Sequence, residues 1–480
     1  MMKCGNLPGV FSLAMVFSCV FAGNAGAQSY YHGSEDLPGR ANWMKRLPDD
    51  IRLSEMSIPG THESATSRYG GDAVLKQSLT ITQQLNAGIR FLDLRINQGS
   101  NTFDMWGGGY SQGASFQAVL TEMTEFLRAH PSETLLVRVK QEGGSAGHIP
   151  FEWMFEYYRS FFGNSLFADP KDANPMLGEL RGKLLILPDF ARSELAYGIG
   201  YETLKAQESG VSTNWSLYGK WEQVKSHLLT SVQDRSGALY INYLSATGGS
   251  FPYFVASGKS SPQNDAPQLL TGRTTVGGWW YSWPDFPRTS CWGSWCSIQF
   301  LGTNQLTVNY LKGKPWRGFG IIAADFPGPD LIGAIVQANV NTRLDSRITQ
   351  TSTGRCIGVG SAQYEGAPLQ LMPCQGKSSG QRIAIDDLTL KVGRESRKLC
   401  MDVSGGRAID HQSVMLWGCH GDSNQQWAVR DDGRIESQRR SPDSKAMCLT
   451  VEGFPSSLTV RPCGVDGADQ TFAVKSASEV

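Results

Sequence analysis

The sequence lacks an excess of charge and also lacks the motifs of the common cofactor sites. Its 480 residues carry 44 lysines and arginines against 44 aspartates and glutamates, a balance that gives no sign of a polybasic surface for nucleic acid or anionic membrane. HExxH, a CxxC zinc pair, a P-loop and a glycine-rich dinucleotide motif are all absent from the sequence. We therefore expect neither a metal nor a nucleotide cofactor.

Long apolar runs are scarce, and the one that occurs lies at the amino terminus. Residues 1–27 combine Lys3, an apolar stretch over 10–22 and small residues ending at Ala27, which is the layout of a secretory signal peptide. Lipid attachment at Cys19 is a disfavoured alternative because the residues before it are bulky. No later segment approaches the ~18 apolar residues that span a bilayer. We therefore expect a secreted protein, extracellular or periplasmic, that is soluble or peripheral.

Cysteines are rare in the first half of the chain and frequent near its end. Removal of the signal peptide leaves an even number, which in an exported chain indicates disulfides. These cysteines are Cys291, Cys296, Cys356, Cys374, Cys400, Cys419, Cys448 and Cys463. The first two are expected to close a small loop. The other six begin and staple three units of about 45 residues, a period typical of repeat architectures.

Each of the three units starts with Cys-x-x-Val and ends in a related tripeptide: Gln381-Arg-Ile, Gln425-Gln-Trp and Gln470-Thr-Phe. Short all-β units that each bury too little alone become stable when they are stapled locally and packed together. The spacing, the cysteine pairs and the QxW signature resemble the ricin B-type β-trefoil lectin family. This resemblance implies a β-trefoil over residues 350–478, after a boundary near residues 341–354.

The pattern before residue 340 is different, because short strands alternate with helical stretches. The helical stretch has apolar residues at helical spacing: Phe116, Val119, Leu120, Met123, Phe126 and Leu127. The predicted strands are 53–58, 88–96, 133–140, 183–188, 238–244 and 318–325. Alternation of this kind predicts an α/β fold with a parallel sheet, most simply an irregular (β/α) TIM-type barrel over residues 40–340. Functional residues should then lie at the carboxyl ends of the strands.

Polar residues do follow the predicted strands. His62 lies after the first strand, Asp93 and Arg95 close the second, Lys140 ends the third and Asp325 ends the last. Taken singly, each has an ordinary structural role, since an aspartate at a strand end caps the next helix and an arginine forms surface ion pairs. Together, they would meet at one end of a single barrel.

Four segments carry a resemblance to a known family: Ile58-Pro-Gly-Thr-His62, Phe91-Leu-Asp-Leu-Arg95, Leu136-Val-Arg-Val-Lys140 and Asp325-Phe-Pro-Gly-Pro. In this order they resemble the X-domain barrel of bacterial phosphatidylinositol-specific phospholipase C. The resemblance implies that His62 is the general base for the inositol 2-hydroxyl and that Asp325 orients it. It also implies that Arg95 contacts the phosphate, where a guanidinium offers a fixed fork of donors to the oxygens that gain charge.

The resemblance implies further contacts in the same cleft. Lys140 corresponds to a family lysine on the inositol side, although an ion pair inside the barrel is an equal alternative. Asp93 and Trp106 are the other expected substrate-binding residues. The expected substrate is phosphatidylinositol or a glycosylated inositol lipid at a membrane surface, bound by a monomer.

The chain departs from the family at the general acid. A family histidine is expected about a dozen residues after Arg95, and Trp106-Gly107 stands there instead. Its aspartate partner is replaced by Glu63. A positioned general acid contributes about 10²–10⁴-fold to the rate. The candidates to replace it are Glu63, Asp104, Tyr110 and His148, with Asp104 nearest in sequence to the vacated place.

The middle unit of the lectin-like region keeps a plausible sugar pocket. Asp402, Trp417, Asn424 and Gln425 match the galactose-type site of the lectin family, with Met415 where a glutamine is usual. The aspartate is replaced in the outer units by Gly358 and Thr450, so those pockets are expected to be structural.

Five tryptophans are crowded into the stretch from Trp279 to Trp295, next to the Cys291/Cys296 loop. Tryptophan favours boundaries between apolar and wet surroundings. A loop that dips into lipid is therefore one interpretation, and a packed aromatic cluster or a sugar-stacking surface are the others.

Three functions are compatible with these features. The first is a secreted phospholipase C that forms diacylglycerol and an inositol cyclic or open phosphate, with a trefoil that directs it to glycans. The second is a catalytically impaired protein that binds inositol phosphate and glycans. The third is a glycoside hydrolase, for which an arginine and a histidine at the site are poorly suited because that reaction uses two carboxyl groups.

Overall fold

The computed structural model describes most of the chain after its amino-terminal segment. The described residues are 28–476 except 144–148, 193–196, 247, 275–282, 313–317, 340–345, 361–362, 376–378, 387, 393–398, 431, 454–456 and 467–468. The predicted signal peptide, His148, Trp279 and Trp280 lie outside the described residues.

Strands and helices alternate over the first part of the chain. The strands are β1 (Ser57–Thr61), β2 (Phe91–Gln98), β3 (Phe103–Gly107), β4 (Tyr110–Ser115), β5 (Leu135–Gly143), β6 (Leu184–Asp189), β7 (Lys205–Gln207), β8 (Tyr240–Tyr243), β9 (Leu270–Thr274), β10 (Arg288–Trp292), β11 (Trp295–Gln299) and β12 (Gly320–Ala324). The helices are α1 (Ile81–Ala87), α2 (Phe116–Ala129), α3 (Phe151–Phe162), α4 (Leu177–Leu180), α5 (Leu217–Gln233), α6 (Pro252–Ser257), α7 (Thr303–Leu311) and α8 (Pro329–Gln337).

One sheet organises this part of the chain. Apart from the antiparallel hairpin β3–β4, its strands are parallel and lie in the order β7-β8-β12-β1-β2-β5-β6. The sheet curls into a barrel that is not fully closed, since β6 and β7 share no ladder among the described residues. The prediction of an α/β fold with an irregular (β/α) barrel is confirmed.

The boundaries of the predicted elements are close, with one correction. The strand predicted over 53–58 is wrong at its start, because Leu53–Glu55 forms a 3₁₀ turn in which the Glu55 carboxylate accepts from the Arg52 backbone N–H at 3.1 Å. The strand β1 therefore begins only at Ser57. Helix α2 buries the predicted apolar face. The short strand β7 and the β9–β11 sheet have no counterpart in the prediction.

The second part of the chain is all-β. Its strands are β13 (Ser346–Gln350), β14 (Cys356–Gly358), β15 (Gln370–Met372), β16 (Ile383–Asp386), β17 (Thr389–Val392), β18 (Leu399–Val403), β19 (Gln412–Gly418), β20 (Trp427–Val429), β21 (Ile435–Ser437), β22 (Met447–Glu452), β23 (Ser457–Pro462) and β24 (Phe472–Ser476). These strands form one 12-stranded sheet in which β24 pairs back with β13. The last residues of the three tripeptides, Ile383, Trp427 and Phe472, are buried in one core. The expected β-trefoil is confirmed.

All four expected cysteine pairs are present as disulfides. Cys291–Cys296 closes the turn between β10 and β11, and Cys356–Cys374, Cys400–Cys419 and Cys448–Cys463 each lie within one trefoil unit. In the part of the chain that the structure describes, every helix is too short or too polar to cross a membrane.

Candidate active site

The register of the parallel strands brings the predicted polar residues to one side of the sheet. Side chains two residues apart on a strand share a face, and residues paired across parallel strands point to the same side. Asp93 is paired with Arg138, and Arg95 is paired with Lys140. Gly60 is paired with Phe91 and with Ala323. Two residues further along these three strands, His62, Asp93 and Asp325 therefore point to the same side of the sheet. These side chains therefore converge inside the barrel mouth.

His62 and Asp325 form a buried dyad. His62 Nδ1 lies 2.8 Å from Asp325 Oδ1, and the two side chains are 4% and 1% exposed. Because a carboxylate accepts only, Nδ1 carries the proton and donates it, which leaves the Nε2 lone pair free. The edge of the Tyr243 ring packs on the imidazole, with ring centroids 5.6 Å apart. The arrangement suits a general base.

The backbone that carries Asp325 is held from several sides. Phe326 adopts a left-handed conformation with φ 47°, which is uncommon for a bulky residue. Its carbonyl accepts from the Tyr31 backbone N–H at 3.0 Å, and its own N–H donates to the Lys76 carbonyl at 2.9 Å. The Asn304 amide donates to the Asp325 carbonyl at 3.0 Å. Strain of this kind persists only where the surroundings impose it, so the dyad is rigidly placed.

The guanidinium of Arg95 forms two parallel hydrogen bonds with the carboxylate of Asp93. Arg95 Nε donates to Asp93 Oδ1 at 3.0 Å and Nη2 donates to Oδ2 at 2.9 Å, while Nη1 donates to Glu142 at 3.3 Å. Burial alone would raise the pKa of the Asp93 carboxyl, but the charges of Arg95 and Arg138 outweigh it and hold that pKa well below its usual range. The pair is therefore charged throughout the physiological pH range, and it aims Arg95 across the mouth.

Glu63 is the carboxyl group beside the free nitrogen of His62. Its Oε1 lies 3.6 Å from His62 Nε2, and its Oε2 accepts from the Thr66 hydroxyl at 3.4 Å. The residue is buried and has a positive φ of 41°, an uncommon conformation that here aims the side chain inward. The backbone N–H of Glu63 donates to Asp93 at 3.4 Å, which ties it to the arginine pair.

Packing around Gly107 excludes the family histidine from that position. A β-carbon on Gly107 would overlap the Thr66 hydroxyl, which fills the space beside Glu63. Trp106 lies half-buried on β3, and Tyr110 is 54% exposed. Asp104 accepts from the Thr102 hydroxyl at 3.1 Å, and among the described residues no hydrogen bond or ion pair joins Asp104 to His62 or Arg95. Of the described candidates, Glu63 alone contacts His62.

Arg138 is a site residue that sequence reasoning missed. It is buried, and its Nη2 donates to Asp189 at 2.7 Å and its Nη1 to the Tyr243 hydroxyl at 2.8 Å. Its guanidinium stacks over Tyr201 at 3.7 Å and pairs with Glu208 at 3.0 Å. Alternation along β5 could have found it, since Arg138 precedes Lys140 by two residues and shares its face. Lys140 is half-buried and paired in register with Asp189.

The middle trefoil unit brings together the residues that the sequence predicted for a sugar pocket. Asp402 Oδ2 accepts from the Asn424 amide at 3.0 Å and from the Gln425 amide at 2.7 Å. Trp417 presents a ring that is 44% exposed. In the third unit, Gln470 donates to the Thr450 hydroxyl at 2.9 Å, so the position of the carboxylate is occupied by an internal contact. The middle unit therefore has the polar and aromatic groups of a sugar site.

The tryptophan-rich stretch divides into exposed and half-buried residues. Trp292 is 86% exposed and Trp295 is 54% exposed at the turn of the β10–β11 hairpin, whereas Trp283 packs against the core. For Trp292 and Trp295 the interpretation as a packed aromatic cluster is wrong, because their rings lie on a disulfide-closed turn that extends from the sheet.

Comparison with known proteins identifies two domains. Residues 56–188 match the family "Phosphatidylinositol-specific phospholipase C, X domain", and residues 345–472 match "Ricin-type beta-trefoil lectin domain". Both resemblances drawn from the sequence are thereby confirmed.

Individual relatives are distant but cover much of the barrel. A 1-phosphatidylinositol phosphodiesterase of Listeria monocytogenes is 28% identical over 229 residues, which are 44% of this chain and 69% of the relative. One from Staphylococcus aureus is 28% identical over 249 residues, or 46% and 80% of the two chains. Among solved structures, phosphatidylinositol-specific phospholipase C from Listeria monocytogenes is 22% identical with a TM-score of 0.45, and the match covers 63% of this chain and 100% of that one.

Proposed function

We propose that this protein cleaves the phosphodiester of phosphatidylinositol or of a glycosylated inositol lipid. The match to the X domain of the phosphatidylinositol-specific phospholipase C family and the match to a ricin-type lectin domain support this proposal. The observation that carries the proposal is the buried pair of His62 and Asp325, 2.8 Å apart, with Arg95 on the neighbouring strand. The signal-like leader and the four disulfides support secretion.

In this mechanism the inositol 2-hydroxyl attacks phosphorus while His62 Nε2 takes its proton. The new phosphorus–oxygen bond forms as the bond to the diacylglycerol oxygen breaks, which gives an inositol cyclic phosphate. Asp325 stabilises the imidazolium that forms, and Arg95 donates to the oxygens that gain charge. Water can open the cyclic phosphate through the same groups in reverse.

The departing diacylglycerol oxygen must gain a proton, and we assign its donor to Glu63. Glu63 lies within 3.6 Å of His62 Nε2, and Thr66 occupies the place of a histidine. The head group would lie between Lys140, Asp93 and the carboxylates that Arg138 holds, Asp189 and Glu208.

The experiment that tests the function is turnover of phosphatidylinositol in mixed micelles, with the phosphorus products identified by ³¹P nuclear magnetic resonance. We expect a cyclic inositol phosphate signal that grows with time. The overlap at Gly107 favours a second candidate, a protein that binds the head group without turning it over. Binding of inositol phosphate with no turnover of any inositol lipid would establish that second candidate instead.

Glu63→Gln should separate protonation of the leaving group from the attack on phosphorus. A good leaving group needs no proton, so the substitution should lower the rate on phosphatidylinositol about 10²–10⁴-fold and the rate on inositol 4-nitrophenyl phosphate by less than about tenfold. Glutamine keeps the shape of the side chain and removes the proton donor. The measurement is kcat on both substrates, with Glu156→Gln on α3, whose carboxylate pairs with Arg159 at 2.9 Å, as a carboxylate control. Equal losses on both substrates would contradict the assignment of Glu63 as acid.

We propose that the exposed tryptophans of the β10–β11 turn bind the lipid surface, because this segment leaves the barrel between β8 and β12, and β12 leads directly into Asp325 of the dyad. Burial of one apolar side chain contributes about 1.5–3 kcal/mol. Replacing both Trp292 and Trp295 with alanine should therefore lower binding to phosphatidylcholine vesicles by at least roughly tenfold. Vesicle sedimentation measures this, and Trp153→Ala on α3, where the ring is 67% exposed, is the matched control. An equal loss of vesicle binding in Trp153→Ala would show that the β10–β11 turn has no special role in lipid binding.

A further inference from the structure

A buried lysine lies directly behind the proposed dyad. Lys220, in the first turn of α5, is 1% exposed. Its Nζ donates to the Tyr243 carbonyl at 2.7 Å, to the Ser209 carbonyl at 2.9 Å and to Gln207 Oε1 at 3.1 Å. A lysine is almost never fully buried unless it is paired, and here its hydrogen-bond acceptors, which include the Ser209 hydroxyl at 3.5 Å, are all neutral oxygens. An aliphatic residue would pack on the barrel at lower cost, so the charge calls for another explanation.

The contacts of Lys220 lead to both members of the dyad. The Tyr243 carbonyl that it binds belongs to the residue whose ring edge packs on His62 and whose hydroxyl accepts from Arg138. Asp325 lies at the end of the adjacent strand β12 and interacts electrostatically with Lys220. Among the described residues, Asp325 Oδ2 has no hydrogen-bond partner, so this buried carboxylate depends on nearby positive charge.

The charged groups around Lys220 compete. Burial lowers the pKa of its ammonium to about 7, and the negative charges of Asp325 from β12 and Glu208 from the segment after β7 oppose that shift. On its own helix, His227 faces Lys220, and the lysine charge contributes to lowering the pKa of that imidazole. The negative charge of Asp325 therefore favours the charged form of Lys220.

We propose that Lys220 is a positioning residue for the general base: it fixes the end of β8 against His62 and places a positive charge near Asp325. The inference rests on the proposed function, in which His62 must be neutral to accept a proton and Asp325 must be charged to stabilise the product imidazolium. Lys220 contacts neither substrate nor the reacting atoms, and it acts through Tyr243 and Asp325.

Two substitutions separate the charge from the hydrogen bonds. Lys220→Gln can still donate to the carbonyl groups but carries no charge, and Lys220→Met loses both. Loss of the positive charge favours protonated His62, so the acid limb of the kcat profile should move to higher pH by about 0.5–1 unit in both variants. We expect kcat at pH 6.5 to fall roughly tenfold with KM unchanged, because the binding groups are left in place.

The control is Lys225→Met, one turn and a fraction along α5, whose ammonium pairs with Asp285 at 2.6 Å on the outer side. It should leave the acid limb unmoved. Thermal unfolding of each variant monitors the fold, and Lys220→Gln remains informative if Lys220→Met does not fold. A lower melting temperature with an unchanged acid limb and unchanged kcat would overturn the proposal and leave Lys220 a structural residue.

A second measurement keeps this inference distinguishable from the proposed function. The imidazole resonances of His62 can be titrated by nuclear magnetic resonance in the full chain without substrate. A higher His62 midpoint in Lys220→Gln with no turnover by the wild type would support Lys220 as the positioning residue and overturn the phospholipase function. Turnover by the wild type, together with the same His62 midpoint in the wild type and in Lys220→Gln, would support the phospholipase function and overturn the role of Lys220.

Discussion

His62→Ala is expected to lower kcat on phosphatidylinositol by about 10²–10⁴-fold, the contribution of a positioned general base. The loss should fall mainly on kcat, because the imidazole acts on the 2-hydroxyl only as the proton leaves. The Nε2 atom faces the mouth while Nδ1 is held by Asp325 at 2.8 Å, which places the imidazole to accept that proton. The measurement is initial-rate kinetics on phosphatidylinositol micelles.

A cavity the size of the ring remains in the alanine variant, and this permits a chemical test. Free imidazole added to His62→Ala should restore part of the activity, with a pH dependence that follows the added base. His411→Ala, on the trefoil surface, is the matched histidine control because its side chain is 56% exposed. An activity that survives in His62→Ala would place the base elsewhere and sink the assignment.

Arg95→Lys is expected to lower kcat about 10²–10³-fold, the usual effect of removing one preorganised donor from developing charge. Lysine keeps the positive charge but cannot bind Asp93 with two parallel bonds, which Arg95 does at 3.0 and 2.9 Å. The ammonium would therefore be free to move relative to the phosphate. Kinetics on phosphatidylinositol and on its analogue with sulfur at a non-bridging oxygen measure the effect.

The sulfur analogue reports on contact with the phosphate oxygens. If Arg95 donates to them, the wild type should discriminate strongly between oxygen and sulfur, and Arg95→Lys should lose much of that discrimination. Arg159→Lys on α3 is the matched control, since Arg159 pairs with Glu156 at 2.9 Å on the outside of the barrel. Discrimination that is the same in wild type and Arg95→Lys would show that the guanidinium does not touch the phosphate.

The sequence predicted the centre of the candidate site because parallel strands end together. His62, Asp93, Arg95 and Asp325 all follow apolar runs, and the strand-end rule placed them at one mouth before any pairing was known. The register then joined them, with Gly60 opposite Ala323 and Phe91. The strand predicted over 53–58 is observed at Ser57–Thr61, so both of its ends lie further along the chain, but it still directly precedes His62.

Other features depend on contacts between distant segments, and no local pattern contains them. The loss of the family histidine was visible at Trp106-Gly107, but the contact that leaves no room for a side chain at Gly107 is with Thr66, which lies 41 residues earlier in the sequence. Asp104 was the nearest carboxyl in sequence, yet its hydrogen bond goes to Thr102. In the sequence, Lys220 resembles an ordinary surface residue of a helix. In the fold, it is buried against the ends of β7 and β8.

The four disulfides constrain the two parts of the chain unequally. Each crosslink joins neighbours along the chain, with sequence separations of 5, 18, 19 and 15, and three of them lie in the trefoil. The core around His62, Asp325 and Arg95 contains no cysteine among its described residues. A reducing environment therefore removes three constraints from the trefoil, each worth about 2–4 kcal/mol, and only the short Cys291–Cys296 crosslink from the barrel part of the chain. We therefore expect reduction to lower the stability of the trefoil more than that of the barrel.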